Sequence, residues 1–238
     1  MTACEARTAR TVDHGTSSRD GTADAGTYRF APLPPERWTD EARAVFAFWG
    51  EPGAYANGSG SNMVMTLAHH PALAMAYYTF GKHLLVTSTL PVRARELIVL
   101  RVASRLRSTY EWHYHVGYAL SIGMRLDEIA AIGAGPAASG WSERDAAVLR
   151  AADELCGAAQ LSDACRALLA RHFDARQIID LVFTIGNYVM LSWAIAALDI
   201  ALEDGIDPIG FDLRTASGAS PVARCKPGEA DDWTTNRG

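Results

Sequence analysis

By type and spacing, Glu96, Glu111 and His115 are the side chains of this chain best suited to chemistry. Glu96 lies within Arg95-Glu96-Leu97-Ile98-Val99-Leu100-Arg101. Val92, Val99, Leu100 and Ala103 share its helical face, so the carboxylate sits on an apolar stripe. A buried carboxylate must find a cation or donors, or take up a proton. Glu111 and His115 stand four residues apart in Tyr110-Glu111-Trp112-His113-Tyr114-His115 and therefore point to one side of a helix. If the two runs pair as a helical hairpin, Glu96 reaches the same spot. Two carboxylates and an imidazole in an apolar setting are the ingredients of general acid–base catalysis. His115 is the expected acid or base, Glu111 its orienting or proton-shuttling neighbour, and Glu96 the second relay member. The structural alternative for Glu96 is an ion pair with Arg95, Arg101 or a neighbouring subunit.

Other residues are candidates for the walls of such a site. His83, Tyr110, Trp112, Tyr118 and Asn187 are the candidate substrate-binding residues; Asn187 is an amide in the middle of an apolar helix. His83, Glu111 and His115 also form a possible metal set of two histidines and a carboxylate, without any H-x-x-x-H or H-E-x-x-H spacing behind it. Phosphate-loop, dinucleotide and nucleophile-elbow motifs are lacking, so no cofactor is expected. The four cysteines, Cys4, Cys156, Cys165 and Cys225, include no C-x-x-C pair.

The elements that must position these residues are helices. Thr39-Asp40 precedes a helix to about Trp49, and a glycine-rich loop follows. A short helix is expected over 62–68, then one from Pro71 to about Val86, with proline at its first position. Pro91 opens the Glu96 helix, to about Arg105, and the Glu111 helix runs from Tyr110 to about Ser121. Leu126 starts a short helix ending near Gly133. Ser142 with Asp145 resembles a capping box for a helix to about Gly157. Ser162 caps the next, and Asp174 caps the longest, to about Leu202. Strand signals are sparse, so the fold class is all-α. Residues 1–28 and 212–238 read as a disordered N-terminal and a flexible C-terminal tail around a helical domain over 29–211.

Bulk properties narrow the class of function. The chain has 238 residues, 49% of them hydrophobic, enough for one sizeable core. A formal net charge of −5 argues against nucleic-acid binding. The richest apolar segment, 178–202, contains Asp180, Asn187 and Asp199 and reads as a buried core helix rather than a membrane span. No signal region opens the chain, so a cytoplasmic protein with no membrane partner is expected.

The block from Pro91 to about Gly133 resembles the carboxymuconolactone decarboxylase family, which includes the alkylhydroperoxidase D-like proteins. The residues that carry the resemblance are Arg95-Glu96-Leu97-Ile98, then Tyr110-Glu111-Trp112 and His115, then Gly123-Met124 and Asp127 to Ile132. With weaker matches at His70-Pro71-Ala72-Leu73 and Asn187-Tyr188, it extends over about 35–205. The resemblance implies a bundle of helical hairpins, assembled as a dimer, trimer or hexamer. The family's peroxidase branch relays protons through a glutamate and a histidine around a cysteine pair. Carried over, these are Glu96 and His115, while the cysteine positions fall on Ser108 and Glu111. Thiol peroxidase chemistry is thereby disfavoured. The decarboxylase branch lacks the pair, carries a similar Tyr-Glu-Trp run and needs no cofactor. What the resemblance implies is a cofactor-independent lyase or isomerase acting on a small organic acid, lactone or polycyclic metabolite. The alternatives are a non-catalytic ligand-binding protein of the same fold and a metal-dependent oxygenase-type enzyme.

Overall fold

The computed structural model describes residues 30–215, and the expected tails before and beyond them lie outside the described residues. After a 3₁₀ turn at Pro35–Arg37, ten α-helices follow. They are α1 (Asp40–Ala47), α2 (Ala54–Asn57), α3 (Asn62–Leu67), α4 (Pro71–Lys82), α5 (Val92–Leu106), α6 (Thr109–Ser121), α7 (Leu126–Ala134), α8 (Glu143–Ala158), α9 (Asp163–Ala170) and α10 (Ala175–Ala197). A single isolated bridge, Ile209 to Thr215, is the β pairing among the described residues.

Local chemistry sets most of the helix starts. Thr39, Ser61, Ser142, Ser162 and Asp174 each accept a backbone N–H from the first turn with the side chain. The expected capping box at Ser142 closes only halfway: Asp145 instead accepts from Arg93, at 3.1 and 3.2 Å. The expected helix from Pro71 to Val86 changes character at its end, because His83–Thr87 winds as a π-helical turn. α10 stops at Ala197, short of the expected Leu202. Asp199 adopts a left-handed φ of 50°, and the Ile200 N–H turns back to the Ile195 carbonyl.

α5 is the central element. Residues on every side of it are buried, from Ala94 through Ala103, and α6, α7, α8 and α10 pack around it. Two ionised side chains are carried inside with their partners. Arg101 forks onto both carboxylate oxygens of Asp153, at 2.7 and 2.9 Å, and donates to the Ile132 and Gly133 carbonyls near the C-terminus of α7. Glu96 is met by Arg95 and His115. A second, smaller core joins α1, α3 and α4 through Val45, Phe46, Val64, Ala74 and Tyr78. Tyr77 and Met63 touch both cores.

The segment after α10 returns across α6. Glu203 accepts from the Tyr110 hydroxyl (2.8 Å), the Tyr114 hydroxyl and the Asn62 N–H (2.8 Å). Trp112 donates to the Gly210 carbonyl at 3.0 Å and packs on Phe211. His113 accepts the Ile209 N–H. Thr215 is buried, so packed structure continues past the expected domain end at 211.

Candidate active site

The hairpin of α5 and α6 brings the three acid–base candidates together. Arg107, with φ of 57°, ends α5, and Ser108 starts α6 immediately afterwards. This tight reversal lays Glu96 and His115 side by side. His115 Nδ1 lies 2.7 Å from Glu96 Oε2, and His115 Nε2 lies 3.6 Å from Glu111 Oε2. Glu96, Glu111 and His115 are all buried.

The electrostatics differ sharply between the two carboxylates. Burial pushes the Glu96 pKa up, but His115 and Arg95 together outweigh it and hold the group below the ordinary carboxylate value. Arg95 Nε donates to Glu96 Oε1 at 2.9 Å, and its Nη1 donates to the Leu85 carbonyl at 2.7 Å. An anionic Glu96 accepts the Nδ1–H of His115, which leaves Nε2 facing Glu111. Glu111 has no such cation to itself. Burial raises its pKa to about 6; His115 opposes the rise and the charge on Glu96 adds to it.

Aromatic and amide groups fix this line from the side. The imidazole is held edge-on between Tyr188 of α10 at 5.2 Å and Tyr118 of α6 at 5.3 Å between ring centroids. Asn187 is buried, and its amide offsets part of a rise in the pKa of Tyr77. Burial, reinforced by Glu111, lifts the Tyr77 phenol well above its usual value, so it stays protonated. The Asn187 carbonyl oxygen has no partner among the described residues, nor has the hydroxyl of Ser108.

Of the residues expected at the site, Glu96, Glu111 and Tyr118 assemble around the His115 imidazole, and Asn187 is buried on α10 next to Tyr188, which packs on that ring. Three others have different places. His83 is largely exposed, bonds Thr87 Oγ1 at 2.8 Å and faces Asp180 at 4.0 Å, because the π-helical turn swings it outward. Tyr110 and Trp112 are tied to Glu203 and Gly210 of the returning segment, an assignment that depends on chain 90 or more residues away. The proposed metal set of His83, Glu111 and His115 is therefore not assembled, and the described residues contain no other cluster of metal-binding side chains. By type and spacing Tyr77 and Tyr188 read mostly as core-packing aromatics, some of which could line a pocket, and Arg95 only as an alternative ion-pair partner of Glu96. Neighbours in a helix do not ordinarily face each other, yet the long Arg95 side chain curls back onto Glu96.

A surface hollow of about 620 Å³ lies elsewhere, lined by Leu33, Arg37, Glu41, His69, His70 and Met75 among others. It shares no residue with the His115 group.

The helical bundle has the fold of alkylhydroperoxidase AhpD-like proteins of known structure. An uncharacterized peroxidase-related protein from Silicibacter sp. TM1040 superposes with a TM-score of 0.62 at 18% identity, covering 77% of this chain and 96% of that one. The alkylhydroperoxidase AhpD core of Ralstonia eutropha JMP134, another uncharacterized peroxidase-related protein, gives 0.59 at 18% identity, covering 77% and 95%. A cysteine-to-alanine form of the debrominase Bmp8, in complex with 2,3,4-tribromopyrrole, gives 0.59 at 19% identity, covering 74% and 91%. No curated protein matches the chain. Residues 71–154, from α4 into α8, match the carboxymuconolactone decarboxylase family, a shorter stretch than the expected 35–205. Residues 71–154, which carry the site-bearing hairpin, are thus similar to this family, and the chain has the AhpD-like fold.

Proposed function

We propose that this protein is a cofactor-independent lyase or isomerase that moves a proton to or from carbon in a small organic substrate. The single observation behind this reading is the contact order Arg95–Glu96–His115–Glu111. Arg95 keeps Glu96 anionic, Glu96 fixes the imidazole tautomer, and the free imidazole nitrogen faces a carboxyl group whose pKa is about 6. A group with a pKa near the working pH both gives and takes protons efficiently. Glu111 and His115 are then the acid–base pair, and Glu96 with Arg95 their positioning residues.

The same contacts bear on the substrate. The cation at this line, Arg95, is already engaged by Glu96 and the Leu85 carbonyl. A buried site whose cation is neutralised suits an uncharged carbon acid, such as a lactone or a polycyclic enone, better than a free carboxylate. Isomerisation or lactone cleavage therefore ranks ahead of decarboxylation. In an isomerisation the base takes a proton from carbon, the electron pair shifts to form an enol or enolate, and the proton returns to a different carbon.

The cysteines support a proton-transfer reading over a thiol one. Burial raises the Cys165 thiol to about 11 and pushes the Cys156 thiol up as well, so both are protonated and poorly nucleophilic at neutral pH. Cys4 and Cys225 lie outside the described residues.

The test is a panel of lactones, enones and β-keto acids incubated with the protein in D₂O and followed by NMR. The expected result is product formation or carbon-bound deuterium with at least one uncharged compound, reduced at least about a hundredfold in His115→Ala, as loss of a placed proton donor requires. Turnover indifferent to His115, or ligand binding without exchange across the panel, would overturn the proposal; the second outcome describes a binding protein.

A further inference from the structure

Ser108 begins α6 and does not cap it. Ser108-Thr109-Tyr110-Glu111 has the S-x-x-E pattern of a capping box, in which the serine hydroxyl accepts the N–H three residues on and the glutamate reaches back to the serine N–H. Neither half forms. No side chain accepts from the first turn of α6. The Ser108 N–H donates instead to the Ala103 carbonyl at 2.9 Å. Glu111 turns inward to His115. Every other serine, threonine or aspartate at a helix start among the described residues, namely Thr39, Ser61, Ser142, Ser162 and Asp174, does cap.

The hydroxyl withdrawn from that duty is buried. Ser108 is 7% exposed, and its Oγ has no hydrogen-bond partner among the described residues. A buried hydroxyl without a partner is destabilising, and the forgone cap is a second loss at the same side chain. Tyr78, Thr184, Asn187 and Ser192 also leave a buried side-chain atom unpartnered. What sets Ser108 apart is its place. The spacing of three and then four puts Ser108, Glu111 and His115 in one row along α6. At about 1.5 Å per residue, Ser108 stands about 4.5 Å before Glu111 along the axis.

Proton transfer at carbon needs one more group than the acid–base pair supplies. When a base takes a proton from the carbon beside a carbonyl, negative charge arrives on the carbonyl oxygen. A hydrogen-bond donor already in place at that oxygen is what lowers the barrier. Arg95 is not that donor, because Glu96 and the Leu85 carbonyl hold it. Ser108 has an O–H with no acceptor in the chain, and it stands at the N-terminus of a thirteen-residue helix, the end that favours negative charge.

We infer that the Ser108 hydroxyl donates to the carbonyl oxygen of the substrate and stabilises it as an enolate, while the neighbouring C–H faces Glu111. The substrate class is then a ketone, ester or lactone with a hydrogen on the carbon next to the carbonyl. Glu111 takes that proton, the C–H electron pair becomes a carbon–carbon double bond, and the carbonyl π pair moves onto oxygen. The Ser108 O–H keeps its own proton throughout. Return of the proton to carbon, from Glu111 or through His115, moves the electrons back. The reaction rests on the acid–base reading above; the oxygen site does not.

The experiment compares Ser108→Ala and Ser108→Gly with wild type in the full chain. With a compound that exchanges deuterium, kcat should fall about 10²–10³-fold in both, with KM changed by less than about threefold, as for loss of one oxyanion donor. The melting temperature should stay level or rise, because the hydroxyl neither caps α6 nor bonds inside. 4-Nitrophenolate mimics an enolate without turnover, and Ser108→Ala should weaken its binding at least about tenfold, read from the absorbance of the bound anion. Full exchange activity in both variants overturns the inference and leaves the acid–base pair standing. No exchange in wild type, with 4-nitrophenolate binding weakened in Ser108→Ala, removes the reaction and keeps the oxygen site. Absent or unchanged 4-nitrophenolate binding overturns the site. A melting temperature lower by about 2 °C or more in Ser108→Ala, the mark of a lost cap in a chain of this length, also overturns it. So does a lasting gain of mass on Ser108 with a lactone, since the hydroxyl would then be a nucleophile. If Ser108→Ala fails to fold, Ser108→Gly decides the activity and binding arms.

Discussion

Replacing Glu111 by glutamine should stabilise the protein at neutral pH while disabling it. Glu111 is buried and has no cation of its own, so its pKa rises from 4.5 to about 6. Below pH 4.5 the carboxyl is neutral in the folded and unfolded chains and contributes no pH dependence. Between 4.5 and about 6 the unfolded chain ionises first, and folding stability falls; above 6 the loss is constant. That interval, at about 1.4 kcal/mol per pH unit, amounts to about 2 kcal/mol. Glutamine has the same shape and no charge to desolvate. The variant should therefore match wild type at pH 4.5 and exceed it by about 2 kcal/mol at pH 7.5, a shift of about 1 M in the urea midpoint for a slope near 2 kcal/mol/M. Urea melts at the two pH values decide it. A gain of the same size at both pH values would point to packing rather than ionisation. A loss of stability at pH 7.5 would refute the electrostatic reasoning, since it would mean that the carboxylate is welcomed where it sits.

Glu96→Gln carries the opposite sign. Glu96 is held below its ordinary pKa, so its contribution is present above the unfolded value of 4.5 and fades as pH falls through the native one. The variant should lose about 3 kcal/mol at pH 7, because half-buried Arg95 and the buried His115 lose the carboxylate they share, and the loss should shrink in acid; thermal melts across pH check both. Arg101→Met should lose a similar amount, about 3 kcal/mol, by stranding two helix-end carbonyls and leaving Asp153 with Arg105 alone, at 3.6 Å; a denaturant melt that moves by less than about 1 kcal/mol would contradict it. Cys165, with its thiol raised to about 11, should react with a thiol reagent at pH 8 at least about tenfold more slowly than a free cysteine.

How much of this was legible in the sequence depends on how far each feature reaches. Helix starts are local, and Thr39, Ser61, Ser162 and Asp174 cap where side-chain chemistry says they should. The core of the site is nearly as local: Glu111 and His115 are one helical turn apart, and Glu96 needs only a tight reversal at Arg107. Features that depend on distant chain were hidden. Tyr110 and Trp112 share α6 with His115, and nothing in their spacing shows that Glu203 and Gly210 return to claim them. His83 sits beyond the point where α4 slips into a π turn, a change of winding that no residue there announces. Tyr77 and Tyr188 looked like ordinary core aromatics, because their role comes from the neighbours that four separate helices bring to them.

The central claim is that His115 carries its proton on Nδ1, toward Glu96, and exchanges a proton at Nε2 with Glu111. Nitrogen-15 NMR of the ring, recorded from pH 5 to 9 in wild type and in Glu111→Gln, reads both halves of it. The account predicts a protonated Nδ1 at neutral pH and an Nε2 signal that moves as Glu111 ionises near pH 6, a response that Glu111→Gln removes. A proton resident on Nε2 with Nδ1 bare, or a titration curve untouched by Glu111→Gln, would contradict it.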